Sequence, residues 1–470
     1  MGLGADPGDR GRAGRGAPAQ CGPGRTEEVP LMINPAKEHR MAGEEQATEE
    51  LPSGQCPVVQ FDHHEHMTRE QSQREWAERR EQCPVAWSES HGGFWVASQY
   101  DAIAEGFRNW ESFSSSRTAR ASGPGGDPGL NSLWIAENPM PTVLVPEELD
   151  PPAWEPYRRV LAEPLSPRAI KRDFTDSVRA HITRLIDAFI EKGECDLIHD
   201  LTSPLPAGVS LDWLGFPEED HRRFSEAFHG ISAYVTGSPE FQDIMVDVTW
   251  MVGRIEEEVR ARRENPTDDA MSQLVNFEID GEVIPQDMAL GLVTLAVGGG
   301  VDTTSSASSS MLMHLHFHPE DRAALTERPE LIDSFIEEVL RMYPPARTHA
   351  RTVVRETELG GVTMQPGDRL LLSEVSANFD EEAFPDADWF VIDRFPNRHL
   401  TFGMGIHRCP GSHLARLQMK ELLLQVLERM PDFRLKEEGL IEYHSWSSSS
   451  GYIDMPAVFT PGPRVGTTPS

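Results

Sequence analysis

The ten residues Phe402-Gly403-Met404-Gly405-Ile406-His407-Arg408-Cys409-Pro410-Gly411 decide how this chain reads. One cysteine stands among glycines, directly before a run (Ser412 to Met430) whose pattern predicts a helix. A thiolate at a helix N-terminus meets the positive end of the dipole and unpaired backbone N–H groups, which lower the thiol pKa and donate to sulfur. Gly403, Gly405 and Gly411 lack Cβ atoms, so the backbone can fold tightly under the sulfur while a flat ligand lies above it. A structural cysteine in a Gly-rich turn is the plainer reading, and the length of the pattern argues against it.

Outside this segment the chain has an ordinary globular composition, 470 residues with 38% hydrophobic and 25% charged. Its five cysteines, Cys21, Cys56, Cys83, Cys195 and Cys409, are widely spaced and form no C-x-x-C pair. They suit neither a disulfide framework nor a zinc site, so a cytoplasmic location is expected. A net charge of −33 argues against nucleic-acid binding, which needs a basic face. One stretch departs from that balance: Phe395 to Lys420 has no Asp or Glu but contains Arg398, Arg408, Arg416 and Lys420. The longest apolar stretch, Met288 to Val301, is interrupted by glycines and too short to span a bilayer, so no transmembrane anchor is expected.

Residues 1–55, rich in Gly, Pro, Arg and Glu, read as a disordered N-terminal extension, and Met32 and Met41 are equally consistent with a later start. Residues 56–460 read as one domain and 461–470 as a C-terminal tail. Helical patterns cover 65–82, 174–191, 218–235, 239–265 and 285–317, and short strands cover 92–97, 351–354, 359–364 and 369–372. The Ser-, Gly- and Pro-rich stretch 114–149 is too long for a plain connection and reads as a lid or binding loop. Ser445 to Gly451 reads as a hairpin tip.

The cysteine segment resembles the haem-binding loop of the cytochrome P-450 family, Phe-Gly-x-Gly-x-His-x-Cys-x-Gly, and matches every fixed position. Two further motifs agree. Glu338-Val339-Leu340-Arg341 resembles the family's Glu-x-x-Arg signature, and Arg394 stands where a second arginine joins that buried ion network. Gly299, Gly300, Asp302 and Thr303 match the family's oxygen-activation segment, in which a hydroxyl and an acid manage dioxygen and protons. Three consecutive glycines there, Gly298 to Gly300, would each cost on the order of 1 kcal/mol in a helix, so a close approach or a distortion is expected.

The resemblance implies a mainly α fold with small β-sheets, the triangular helical prism of the family, around a buried haem b (heme b, thiolate-ligated iron). Cys409 is then the metal ligand, and Phe402 and Gly403 lie beneath the ring. Haem propionates need cationic partners, and Arg158, Arg351 and His407 occupy family positions for them. Trp154 departs from the histidine or glutamine of relatives and would donate one hydrogen bond or pack on the haem edge, with His349 as a compensating donor. Pro410 also departs, removing an N–H near sulfur.

The middle of the chain is most similar to the camphor-hydroxylase branch. The tyrosine with which that branch holds its ketone is missing, and Val143 and Leu144 stand in its stretch. Leu295, Gly299 and Thr348 are further candidates for an apolar pocket. The implied activity is hydroxylation or epoxidation of a hydrophobic small molecule, terpenoid, steroid or fatty-acid-like, with O2 and with electrons from NAD(P)H through ferredoxin reductase and ferredoxin. A peroxide-driven hydroxylase and a non-catalytic haem sensor are the alternatives, and the intact Asp302-Thr303 pair counts against the first.

Overall fold

The helical patterns become a largely helical structure with a sheet along one side. The computed structural model describes residues 58–65, 67–122, 131–135, 142–444 and 449–466. These belong to one unit, Thr48–Ser470. The six-stranded sheet contains β1 (Val58–Val59), β2 (Val85–Ser88), β3 (Phe94–Ala97), β4 (Phe113–Ser114), β5 (Thr348–Val353) and β6 (Arg369–Ser373). Its order is β1-β2-β3-β6-β5-β4, with β1–β2 and β3–β6 parallel and the other pairs antiparallel. Register is set by burial. In β6 all five residues are buried, which fits a central strand covered on both faces. The stretch expected as one strand over 359–364 is two, Thr357–Leu359 and Val362–Met364, joined at the left-handed glycines Gly360 and Gly361.

Ten helices position the site: α1 (Arg69–Gln82), α2 (Tyr100–Arg108), α3 (Trp154–Ala162), α4 (Thr175–Phe189), α5 (Pro204–Leu214), α6 (Glu218–Ala233), α7 (Pro239–Glu264), α8 (Gln286–Phe317), α9 (Ile332–Met342) and α10 (Ser412–Arg429). The start of α1 is fixed by a capping box in which Thr68 and Gln71 satisfy each other's backbone N–H groups. Helix α8 runs through the molecule. Its N-terminal half packs with α5, α6 and α7 around Phe224, Ile255 and Val293. Its C-terminal half joins α4, α9 and α10 around Met311, Phe335 and Leu422. Each such fully buried side chain contributes roughly 1.5–3 kcal/mol. At the C-terminus β7 (Ile441–Glu442) and β8 (Tyr452–Asp454) pair antiparallel, as the hairpin reading requires. Its tip, 445–448, lies outside the described residues, as do 1–57 and, in the 114–149 loop, 123–130 and 136–141. Residues 462–466 lie against α4 and the residues after it, with the N–H groups of Val465 and Gly466 donating to Asp187.

Candidate active site

The cysteine loop is shaped by its glycines. Gly403 and Gly405 have φ of +62° and +72°. A methyl on Gly405 would stand 2.7 Å from the Phe107 carbonyl oxygen, so only glycine lets the loop close onto the end of α2. Cys409 N–H donates to the Phe402 carbonyl (2.9 Å), and α10 starts three residues later behind Gly411. Burial pushes the Cys409 thiol up. The Gly411 N–H, Arg158 and Arg408 pull it down and Glu147 adds to the rise, leaving the net shift upward. This corrects the expectation of a lowered pKa: desolvation outweighs the helix end. A metal ion bound at the sulfur would supply positive charge that favours the thiolate.

Behind the loop, Glu338 and Arg341 are both fully buried and paired through two bonds of 2.8 and 2.9 Å. Arg394 Nε adds bonds of 3.0 and 3.1 Å, and the Val391 N–H and Asn397 amide also donate to Glu338. Arg341 spends its remaining N–H groups on the carbonyls of Asn378, Ala387 and Trp389. The acid is thus ionised and its pKa lowered, the desolvation cost being exceeded by Arg341 and its other donors. The neighbouring Glu337 takes Arg416 (2.7 Å) and His399 (3.2 Å). Arg416 therefore serves the fold and lies with its guanidinium 4.5 Å from the Phe402 ring. Lys420 pairs with Asp333 at 2.6 Å. Of the basic stretch, Arg398 and Arg408 remain exposed, with no carboxylate in ion-pair reach among the described residues.

Trp154 and Arg158, expected propionate partners, meet the loop at His407 and Arg408. His407 Nε2 lies 3.0 Å from Ser115 Oγ, its ring packs edge-on to Trp154 at 6.2 Å, and Arg158 donates to the Arg408 carbonyl at 2.6 Å. Burial, with Arg351 and Arg158 nearby, pushes His407 down to about 3, so it is a neutral hydrogen-bonding group rather than the cation expected. Arg351 is buried, with Glu147, Glu374 and Asp150 as its nearest carboxylates. His349 is not free for a propionate, because its Nδ1 bonds Glu374 and its Nε2 lies 3.8 Å from Glu147. Burial opposes its charge, but Glu374 outweighs burial and raises the imidazole pKa. Trp154 Nε1 is buried without a hydrogen-bond partner. An orphan donor of this kind, beside two arginines and a histidine at the edge of a cysteine loop, fits an anionic group of a bound cofactor.

Helix α8 is continuous through Gly298–Gly300, so of the two expectations, a close approach or a distortion, the close approach holds. A methyl on Gly298 would stand 2.8 Å from Phe228 of α6. On one face Gly299 is exposed, and Leu295 and Thr303, one turn to either side, are half-buried. Thr303 Oγ1 donates to the Gly299 carbonyl at 3.0 Å. Asp302 points the other way and is buried. Its Oδ1 accepts from Tyr443 Oη at 2.7 Å, and Ser232 also donates to it. Burial raises its pKa to about 6 against those donors. His229 Nδ1 lies 3.4 Å from Tyr443 Oη, the His199 ring 5.7 Å from His229, and half-exposed His199 bonds Asp454 at 3.0 Å.

The other pocket candidates divide. Leu144 and Thr348 are buried, and the Val143 carbonyl stands 2.0 Å from where a methyl on Gly291 of α8 would lie, so the stretch before α3 packs on α8. Tyr443, Ser232 and His229 were not legible as site residues. They reach Asp302 from two elements distant in sequence, and no local pattern announces that.

A glycine-cradled cysteine at the start of a helix, an orphan donor with cationic neighbours at its edge, and a hydroxyl–acid pair on a long central helix define a haem-thiolate oxygenase. The chain belongs to the cytochrome P450 family, whose model matches residues 148–439. It is a monooxygenase that binds haem b through a cysteine thiolate. It is 33% identical over 377 residues to a steroid C26-monooxygenase of Mycolicibacterium smegmatis, covering 79% of this chain and 89% of that protein. A linalool 8-monooxygenase of Pseudomonas putida is 32% identical over 368 residues, covering 77% and 89%. The structure of a Mycobacterium marinum cytochrome P450 in complex with pseudoionone matches with a TM-score of 0.74 and 26% identity, covering 84% of this chain and 96% of that one. Among the described residues no helix is long and apolar enough to cross a membrane.

Proposed function

We propose that this monooxygenase hydroxylates or epoxidises a terpenoid, steroid or fatty-acid-like molecule in the cytoplasm, with electrons passed from NAD(P)H through ferredoxin reductase and ferredoxin. The observation that carries the substrate class is the open face of α8. Gly299 is exposed there between half-buried Leu295 and Thr303, and a methyl on it would meet only Leu295 at 3.7 Å, in a helix that is otherwise mostly buried. Relatives named for a steroid and for linalool support the same class.

Cys409 would be the iron ligand, with Phe402 and Gly403 shaping the loop that carries it. Arg158, Arg351, His407 and the orphan Trp154 Nε1 hold the propionates. Bound there, the haem supplies the activation of dioxygen and the transfer of one oxygen atom. The chain supplies position and protons. Thr303 keeps its hydroxyl on the open face by bonding the Gly299 carbonyl. Asp302, with a pKa of about 6, exchanges a proton near neutral pH, and Tyr443, His229 and His199 form a polar route from it to the surface. Exposed Arg398 and Arg408 beside the cysteine loop offer a cationic landing for an acidic ferredoxin.

The test is a titration of the ferric protein with a steroid, a monoterpenoid alcohol and a fatty acid, reading the low-spin to high-spin shift. Turnover is then measured with NAD(P)H, reductase and ferredoxin, and separately with hydrogen peroxide alone. A shift with at least one class and oxygenated product only with the electron chain are expected. No shift with any class, or equal product from peroxide alone, refutes the reading.

A further inference from the structure

A second cluster lies far along the chain from the cysteine loop. The tract Asp62-His63-His64 follows β1, and His91 sits in the turn between β2 and β3. That turn is unusual: His91, Gly92 and Gly93 are all left-handed, with φ of 51°, 85° and 98°. A histidine adopts this conformation at a cost that the turn must offset. The result is that His91 Nε2 reaches Asp62 Oδ1 at 2.7 Å, while the His64 N–H donates to the same oxygen at 2.9 Å. The three rings lie together, with centroids 4.2 Å (His63–His64), 4.9 Å (His64–His91) and 5.6 Å (His63–His91) apart. One ligating nitrogen from each lies within 4.8 Å of the others.

The hydrogen bonds fix which nitrogens are available. His91 uses Nε2 on Asp62, and His64 uses Nε2 on the Ile135 carbonyl at 3.3 Å, which leaves Nδ1 of each free. His63 is only 8% exposed, and its Nδ1 is buried without any partner. A buried imidazole nitrogen with no partner, on a ring packed against two other imidazoles, is one that a metal ion can satisfy.

We propose that His63, His64 and His91 bind one divalent transition-metal ion of the Zn2+ type, with Asp62 orienting His91 and a water completing the shell. Three imidazoles suit zinc, copper or nickel and not calcium or magnesium. A carboxylate on the far nitrogen of a ligating histidine is the usual outer-shell partner and strengthens the ligand. In a tetrahedral site with bonds of about 2.0–2.1 Å the nitrogens stand ~3.3 Å apart, so side-chain rotations of about an ångström close the cluster. The ion would join the segment after β1, the β2–β3 turn and, through His64, residues 131–135. That last segment is already bound to the sheet by Ala350 N–H (2.6 Å to Leu133) and by Arg369 (2.9 and 3.0 Å to Ser132 and Trp134). The proposal is independent of the substrate reading.

The test uses the full-length holoprotein, treated with a chelator that leaves haem in place and then dialysed against Zn2+. One tightly bound Zn2+ per chain is expected, with zinc-edge X-ray absorption showing imidazole nitrogens at about 2.0 Å. H64A and H91A, both at accessible positions, should each weaken binding at least 100-fold, and D62N roughly 10–100-fold, with the haem spectrum unchanged. Because H63A removes a buried ring, it is read only alongside its thermal midpoint. No stoichiometric uptake by the wild type, or uptake unchanged in H64A and H91A, overturns the proposal.

Discussion

Removing the Tyr443 hydroxyl is the most direct probe of how this chain manages protons. Tyr443 Oη donates to Asp302 Oδ1 across 2.7 Å in a buried setting, and Ser232 is the other donor. A hydrogen bond to a charged acceptor contributes about 1.5–3 kcal/mol, equivalent to roughly 1–2 pKa units. Asp302 stands at about 6 with the bond in place. In Tyr443→Phe it should therefore titrate at roughly 7–8, and its ionised fraction at pH 7 should fall from about 90% to about 10–50%. In the role proposed for Asp302 the protonated acid delivers the proton, so turnover should fall as pH rises through this pKa. The assay is product formation against pH, with reductase and ferredoxin in excess. The alkaline limb should move up by 1–2 units while the plateau drops, because the route through Tyr443 is also broken. An unmoved limb refutes the coupling. The same shift has a stability consequence of definite sign. The folded pKa lies above the reference value of 3.8. The stabilising contribution is thus fully present below pH 3.8 and lost as pH rises through about 6, a change of ~3 kcal/mol. Asp302→Asn, neutral throughout, should lack that pH dependence in chemical denaturation.

Thr303→Ala should retain haem and substrate binding but form several-fold less product per NAD(P)H, with hydrogen peroxide rising to match; wild-type coupling would remove Thr303 from the reaction. Glu338→Gln leaves two arginines facing a neutral amide and should cost about 3–5 kcal/mol, read as a lower thermal midpoint and reduced haem content. Glu337 is held at about 2 against an ordinary 4.5, so its contribution is present above pH 4.5 and lost as pH falls towards 2. Glu337→Gln should make haem retention less sensitive to acid over that range, and an unchanged acid profile would exclude the pair as its cause. Arg398→Glu and Arg408→Glu should slow ferredoxin-driven reduction several-fold at low ionic strength and converge on the wild type at high salt. Arg416→Glu should instead destabilise the protein, since Arg416 is already committed to Glu337.

Much of the fold was legible because its signals are local. The cysteine loop, the Glu338–Arg341 spacing and the Gly299-to-Thr303 run each carry their chemistry within ten residues, and the long helices announce themselves by period. Helix α5 was missed because it is buried nearly all round, so it has no polar face and no amphipathic period to read. The charge states were not legible either. In sequence His407 reads as a cationic propionate partner and Arg416 as a free cation, yet burial neutralises the first and Glu337 occupies the second. Such assignments depend on how deeply a group is buried and on which acid arrives from another element, and the linear chain records neither. The Asp62–His63–His64 cluster failed for the same reason, because its third ring comes from a turn 27 residues on.

Helix α9 shows why two adjacent acids are needed where one would pair an arginine. Glu338 faces inward and gathers Arg341, Arg394 and Asn397, which fixes the chain between Trp389 and Asn397. Glu337 faces sideways and holds Arg416 of α10 and His399, so it grips the loop from its far end and its near end together. Between them Asn378 takes the Leu400 N–H at 2.7 Å and donates to Thr401 Oγ1 at 2.9 Å, and Thr401 in turn donates to the Leu340 carbonyl. The residues leading into Phe402 are thus bound on both sides to one helix, and the helix following Cys409 is bound to the same one. A sulfur that would hold a metal ion in one position needs a loop that does not shift. Side chains that a glycine-rich loop cannot provide are supplied by α9, which explains why a carboxylate with as many donors as Glu338 lies behind the cysteine loop.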